Sequence, residues 1–509
     1  MSDSSPSLAS THLKKSWTSI DSSKRPLLEH DEKVKARLSR HASDRIERGN
    51  TVEAKVELAV TLGFSLAANG GLRRMMTTKL ANNNPMTMYK DPEFMKELIQ
   101  ENAEDEEAPT PLATMFNLTG AILGAGVLAT PYAFQLGGWF ACIVLALMSA
   151  VCCYTAVLIA RCLKQAMETV PFSDRGGEPC DWPLIGYAAF GRMGKQLVNV
   201  TFLGELYFIL MSYLVVNGTN IQVLIPWVPK TPLIAVSGLL SFLLLACPFW
   251  ILSYFSLLGL AAMCMTVVLV VVTGIQLPDW PAHSEFKLFD AATLSQLVGL
   301  VLFGFVAHSA IPSIYVPMAK KEKFSSVSAL SFAVSFAVYA VAGIAGYAFF
   351  AGSVQQNVIG NIGRDLDLES MPGLGILPLV ASAAFALKLQ LSFPLFAAPL
   401  LAASEAILRF TEATPRALKL LWRATFIMVT TGFAVLLQDH MADCMALTGC
   451  LFSMCTALIF PAAFYYRMFG GQLSLPTRLG LGVLLIGGVY FLVTGTARSL
   501  TRMLSGGGS

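Results

Sequence analysis

The chain has 509 residues, 54% of them hydrophobic and only 14% charged, which is too apolar for a soluble globular domain and describes a polytopic membrane protein. A net charge of +3 leaves no basic surface of the kind that binds nucleic acid. Most of the ten cysteines, Cys152, Cys153 and Cys450 among them, fall in apolar runs; with neither zinc spacing nor a disulfide framework they read as packing residues.

Residues 1–110 carry sixteen Lys and Arg against seventeen Asp and Glu, the composition of a mixed-charge, mostly disordered tail. No signal-peptide pattern opens it. The apolar island from Leu58 to Ala68 is too short to span a bilayer and reads as a transient turn or a short helix on the membrane surface. Arg40, three residues before Ser43, makes Ser43 a phosphorylation candidate, and Arg25-Pro-Leu-Leu28 resembles a dileucine sorting signal without its upstream acid.

From 111 onward apolar runs of about twenty residues, enough to cross hydrocarbon, fall near 112–136, 139–163, 195–220, 232–251, 255–277, 294–318, 326–350, 375–408, 416–437, 442–465 and 478–499, eleven spans in all. Fourteen Lys and Arg, including Lys320, Lys321 and Lys323, lie on one side of this pattern and, before the C-terminus, three (Lys230, Lys287, Arg364) on the other. The positive-inside rule then places the N-terminus in the cytosol and the C-terminus in the lumen or outside the cell. Asn217-Gly-Thr219, at the non-cytosolic end of span 3, makes Asn217 a glycosylation candidate. Residues 501–509, ending in Ser-Gly-Gly-Gly-Ser, read as a flexible tail or linker after the membrane core of 111–500.

Span 1 contains Asn117-Leu-Thr-Gly-Ala-Ile-Leu-Gly-Ala-Gly-Val-Leu-Ala-Thr-Pro131, with three glycines in seven positions, which weakens the helical ladder. Small residues at such spacing also serve close helix packing. A second interrupted run, from Phe303 to Pro317 with Gly304, His308, Ser309 and Pro312, favours a true break. Two broken helices five spans apart are the sequence pointer to a five-plus-five inverted repeat of the LeuT type, here with one extra helix. The fold class is therefore an all-α polytopic membrane protein with spans 1 and 6 broken. Half-helix ends at a break offer N–H groups to a carboxylate and carbonyls to an ammonium. A zwitterionic amino acid satisfies both, and its expected contacts are Gly120, Ala121, Gly124, Ala125 and Gly126 with Phe303, Gly304, Phe305 and Val306. Phe303, Phe305 and Tyr207 are the side chains expected to shape the pocket.

Ionisable residues inside spans are costly unless paired or hydrated. Glu205 and Lys388 suit either a buried ion pair that fixes two helices or a coupling site. An ammonium at Lys388 can stand in for a coupling cation, and burial can bring such a group into titration. His308 is either a proton carrier or a hydrogen-bonding partner for free carbonyls.

Phe116 to Ala133 with Gly137-Gly-Trp139 resembles the first span of the amino acid/auxin permease family, and Gly304 to Tyr315 resembles the sixth span of its vacuolar members. Leu387-Lys-Leu-Gln-Leu-Ser-Phe-Pro394 and the run around Glu205 are similar to its vesicular inhibitory amino acid transporter, which has a lysine and a glutamate in matching places. Leu447-Thr-Gly449 and Phe460-Pro461 are similar to the family's tenth span. The resemblance covers about 112–499. It implies an eleven-span amino acid carrier, often driven by protons and often in vacuolar, lysosomal or vesicular membranes rather than the plasma membrane. Sodium-coupled members use a polar residue of span 1 and a hydroxyl of span 8. Asn117 and Ser392 imitate these, although Lys388 beside them repels a cation.

The expectation is thus a proton-coupled, alternating-access transporter of small or neutral amino acids, by symport or antiport, with a sodium-coupled carrier as the alternative. An amino-acid sensor signalling through the tail to a cytosolic partner is the reading from another class. No metal, cofactor or nucleic acid is expected; the expected partners are the amino acid substrate, membrane lipid and a cytosolic partner of the N-terminal tail. The acids, His and Ser inside the spans form no enzyme motif.

Overall fold

In hydrocarbon an apolar segment winds into a helix because only a helix satisfies its backbone from within. The computed structural model describes residues 109–170, 181–245, 249–411 and 414–505. The expectations for residues 1–108, Ser43 among them, lie outside these.

Thr110, whose hydroxyl accepts from Ala113 N, and Pro111 in the first turn start helix α1 (Pro111–Ile122). After a break at 123–125 follow α2 (Gly126–Gly137) and α3 (Ala141–Thr169), joined through a turn at Gly138, where φ is +65°. Next come α4 (Trp182–Leu224), α5 (Lys230–Leu244) and α6 (Phe249–Ile275). Then α7 (Leu294–Gly304) is separated by a second break from the short α8 (Ile311–Tyr315). The chain continues with α9 (Phe324–Phe350), α10 (Ile376–Ile407), α11 (Arg416–Leu436) and α12 (Met441–Thr448). Two π-wound stretches, Gly449–Ser453 and Cys455–Ile459, lead into α13 (Phe460–Phe469), and α14 (Leu475–Leu504) closes the order.

Among the described residues no sheet forms beyond an isolated bridge between Arg364 and Ser370. Eight helical stretches there are long and apolar enough to cross a membrane, and 230–244 and 259–275 are shorter apolar helices. The chain is an all-helical, multi-pass membrane protein. In α11 and α14 only 17% of the apolar window is buried, so most of their apolar surface is left to face lipid.

Several boundaries differ from the sequence reading, among them that between the fourth and fifth runs, where one helix ends at Leu244 and the next begins at Phe249. The third apolar run begins at Trp182 rather than 195, because Asp181 caps Trp182 N at 2.7 Å; a kink at Phe190–Gly191 marks the join. The last helix runs through Leu504, so 501–504 of the expected flexible tail are helical. Arg502 anchors that turn: its Nη1 donates to Gln296 Oε1 at 2.9 Å, and its Nε lies 3.3 Å from Asp443. Asp443, 2% exposed, also accepts from Gln296 Nε2 and lies 3.6 Å from His440 Nδ1. This cluster ties the first turn of α7 to α12 and the end of α14.

Helices α1, α2 and α7 gather with α9, and α4 packs along α10. Small residues set these distances. A Cβ on Gly343 or Gly346 of α9 would meet Phe134 at 2.3 Å or Pro131 at 2.5 Å. Where α7 meets the first π-wound stretch, a Cβ on Gly449 would lie 1.9 Å from the Gly299 carbonyl oxygen. Gly449→Ala is therefore expected to force the two backbones apart at a cost of about 1–3 kcal/mol, seen as a lower unfolding midpoint of the purified protein in detergent. An unchanged midpoint would contradict this contact.

Candidate functional site

The two interrupted helices meet at their breaks. Gly126, first residue of α2, and Gly304, last of α7, stand backbone to backbone: a Cβ on Gly126 would lie 2.6 Å from Gly304 Cα. Helix α1 ends when Leu123 turns to φ −77°, ψ 93°. The backbone N–H of Gly124 meets the Tyr339 hydroxyl, no backbone acceptor meets Ala125 N or Gly126 N among the described residues, and Val127 N and Leu128 N bond back to Gly124 and Ala125. After α7, Phe305 and Ala307 leave the helical region and Ala307 N closes a tight turn onto Phe305 O at 2.9 Å.

The carbonyls freed at both breaks are met by side chains. Tyr339 of α9, 1% exposed, places its hydroxyl 2.7 Å from Gly304 O and 3.1 Å from Ile122 O. Lys388 of α10 donates from Nζ to Leu123 O at 3.3 Å. A cation there complements the negative end of the α1 dipole. Its stem crosses Gly259 of α6, where a Cβ would come within 2.7 Å of Lys388 Cγ; Met263 Sδ and the Phe385 ring lie beside the ammonium. Among the described residues no carboxylate pairs with it. The arrangement can hold a small zwitterion between N–H groups on α2 and carbonyls on α1 and α7.

Of the residues expected at the substrate site, Gly120 and Ala121 are still inside α1, exposed and half-buried, while Gly124, Ala125 and Gly126 lie at the break. Phe303 and Gly304 end α7, with Phe305 and Val306 in the break that follows. Two of the expected pocket side chains point elsewhere. Phe305 is fully buried against Tyr339 and Phe332, with ring centroids at 5.1 and 6.2 Å. Tyr207 packs on Phe208 and on Phe426 of α11.

Glu205 and Lys388 do not form the ion pair that was one reading of them. Glu205 of α4, fully buried, accepts from Thr456 Oγ1 at 3.1 Å in the π-wound stretch, and Ser453 also faces its carboxyl. Its Oε2 meets no donor among the described residues. His308 is fully buried. Its Nε2 lies 3.1 Å from Cys152 O, which only accepts, and 3.0 Å from Thr155 Oγ1, so the ring proton is committed. Its own carbonyl accepts from Trp182 Nε1 at 2.7 Å. Asn117 is exposed on α1 and Ser392 half-buried on α10, with no hydrogen bond between them. Asn217 corrects the glycosylation expectation. It is 2% exposed, and its amide nitrogen donates to Gln390 Oε1 at 2.9 Å and Ser237 Oγ at 3.3 Å.

Tyr339, Gly259 and the Asp443–Gln296–Arg502 cluster escaped the sequence reading. A signal existed for Tyr339: Ser328, Ser331, Ser335 and Tyr339 recur on one helical face of α9, all buried.

Fold and site together define a multi-pass membrane protein whose centre is a crossing of two interrupted helices, the architecture of a carrier. Residues 108–500 match the family described as transmembrane amino acid transporter protein, and the chain belongs to that family. It is similar to amino acid transporter AVT1D of Arabidopsis thaliana, 26% identical over 403 residues, 77% of this chain and 69% of that protein. To amino acid transporter AVT1J of the same plant it is 26% identical over 438 residues, 81% of this chain and 98% of that protein. These relatives are named as transporters, not enzymes. Among solved structures it is similar to a manganese transporter of Eremococcus coleocola, with a TM-score of 0.47 and 13% identity, covering 77% of this chain and 96% of that one.

Gly259→Ala is expected to destabilise the protein by about 1–3 kcal/mol through collision with Lys388, and by less when Lys388→Ala is already present. Equal effects of Gly259→Ala in both backgrounds would sink the contact. Treatment with an amidase that removes N-glycans should leave electrophoretic mobility unchanged at Asn217, judged against Asn217→Gln.

Proposed function

We propose that the protein is a proton-coupled secondary transporter of small or neutral amino acids that works by alternating access. The single observation that carries this reading is the crossing of the two breaks, where N–H groups of Gly124 to Gly126 and carbonyls of α1 and α7 converge on one place. Backbone groups of both polarities suit an α-ammonium and an α-carboxylate whatever side chain the substrate bears. The relatives' names as amino acid transporters support the same substrate class. Gly120, Ala121 and Val306, at least partly exposed, border the route to that place.

Proton rather than sodium coupling is favoured by two groups. Lys388 sets an ammonium against Leu123 O, where a metal cation would be repelled. Glu205, buried with a hydroxyl donor and no cation beside it, is costly as a carboxylate and in our reading carries a proton in this state. Releasing that proton charges the contact between α4 and the π-wound stretch, a winding found often at functional sites.

We further propose eleven spans in a five-plus-five inverted repeat plus one, with α1–α2 and α7–α8 as the broken pair. The excess of Lys and Arg on one side puts the N-terminal 110 residues in the cytosol and the C-terminus in the lumen or outside. A vacuolar, lysosomal or vesicular membrane suits a proton-driven carrier better than the plasma membrane.

Purified protein in liposomes, given each amino acid in turn under an imposed pH gradient, tests this. Neutral amino acids should accumulate with the gradient. Glu205→Gln, permanently uncharged, should lower proton-driven accumulation roughly tenfold, within the usual span of coupling between sites, and flatten its pH dependence. Uptake that follows sodium and ignores pH would overturn the coupling.

A further inference from the structure

The carbonyls at the crossing are served by fewer protons than they can accept. Leu123 O takes one from Lys388 Nζ, but Ile122 O and Gly304 O both lie within reach of the single hydroxyl proton of Tyr339, at 3.1 and 2.7 Å. The hydroxyl therefore donates chiefly to Gly304 O, and Ile122 O is left with a shared bond. Both carbonyls close the C-terminal end of a half-helix, where an extra positive donor is favourable. An ammonium has three protons and satisfies such a pair completely.

Tyr339 is built into this position. Its ring rests 5.1 Å from that of Phe305 and only 3.3 Å from where a Cβ of Gly304 would stand, so any larger residue at 304 would press on it. The Tyr213 hydroxyl of α4 is close enough to interact with it electrostatically. At 1% exposure the phenol has no water to turn to, and its polar end has one use, the two breaks.

We propose that Tyr339 is a positioning residue that stands in for the substrate's ammonium. In the empty carrier its hydroxyl holds the carbonyls of Ile122 and Gly304 together; in the loaded carrier the amino group of the amino acid takes them over. This rests on the reading of the crossing as an amino acid site. Its consequence is asymmetric: loss of the hydroxyl burdens the empty carrier, which must return through the membrane with bare carbonyls, more than the loaded one.

The test compares Tyr339→Phe with the wild type in liposomes, using an equimolar pool of the twenty proteinogenic amino acids as the probe. Net uptake requires return of the empty carrier, whereas counterflow exchange does not. The ratio of counterflow to net uptake is expected to rise roughly fivefold in the variant, the scale of one lost buried hydrogen bond, with the half-saturating concentration lowered. In detergent the variant should unfold at a lower temperature than the wild type, and the gap should close when the pool is added.

A ratio equal to that of the wild type, whether both rates fall together or neither does, overturns the proposal and leaves Tyr339 a packing residue. Should the variant not reconstitute, the unfolding measurement decides: a gap that persists with the pool overturns the stand-in role. If the wild type itself moves none of the pool, the amino acid reading fails first and this inference falls with it.

Discussion

A peptide group deep in a bilayer has no water to bond, so any interruption of a membrane helix must be answered by another part of the protein. That demand organises the centre of this molecule. At the two breaks the loose carbonyls draw in a phenol from α9 and an ammonium from α10, and those two side chains in turn fix which faces of α9 and α10 look inward. Gly304 and Gly259 are small so that the phenol and the lysine stem can lie across them. Ahead of α2 the Gly124 amide meets that same phenol, whereas the amides of Ala125 and Gly126 have no backbone acceptor among the described residues. The crossing is thus lopsided: its acceptors share two side-chain donors, while the amides of Ala125 and Gly126 stay open.

A second polar element lies away from the crossing and still touches it. The π-wound segment between α12 and α13 packs on α4, where Glu205 sits, and on α7, whose last residues form one side of the second break. Gly449 stands against Gly299, while a few residues earlier Asp443 holds Gln296 at the top of the same helix. The segment from α12 into the first π-wound stretch therefore grips α7 at two levels, so under the proposed function a change in charge at Glu205 reaches the helix that ends at the second break. This is a mechanical connection through packed backbone and needs no chain of relays.

The positions of the breaks were legible in the sequence because glycine and proline inside an apolar run are conspicuous. The break in α1–α2 falls at 123–125, within the stretch that Gly120, Gly124 and Gly126 marked out. Lys388 was conspicuous for the same reason, a charge where charge is expensive. What stayed hidden were residues whose role depends on rotation about a helix axis. Phe305 follows a glycine in the broken segment and yet turns back into the bundle, and Tyr207 faces α11. Tyr339 is one aromatic among many in apolar runs, and only the small polar residues on its face distinguish it. Asn217 shows the limit of a local pattern: the sequon is intact, but Gln390, 173 positions further on, claims the amide.

The unusual winding between α12 and α13 also sets the azimuth of everything below it. An α-helix advances about 100° per residue, so the wider turns over Gly449–Ser453 and Cys455–Ile459 act as a rotational offset between α12 and α13. With that offset, Phe464 meets Trp182 edge-on at 6.5 Å and Tyr465 receives a hydrogen bond from Arg161 at 3.4 Å. Tightening those turns to ordinary α geometry would swivel α13 and exchange its inward and outward faces. The offset makes the lower half of this helix a dial whose setting is fixed beside the buried glutamate.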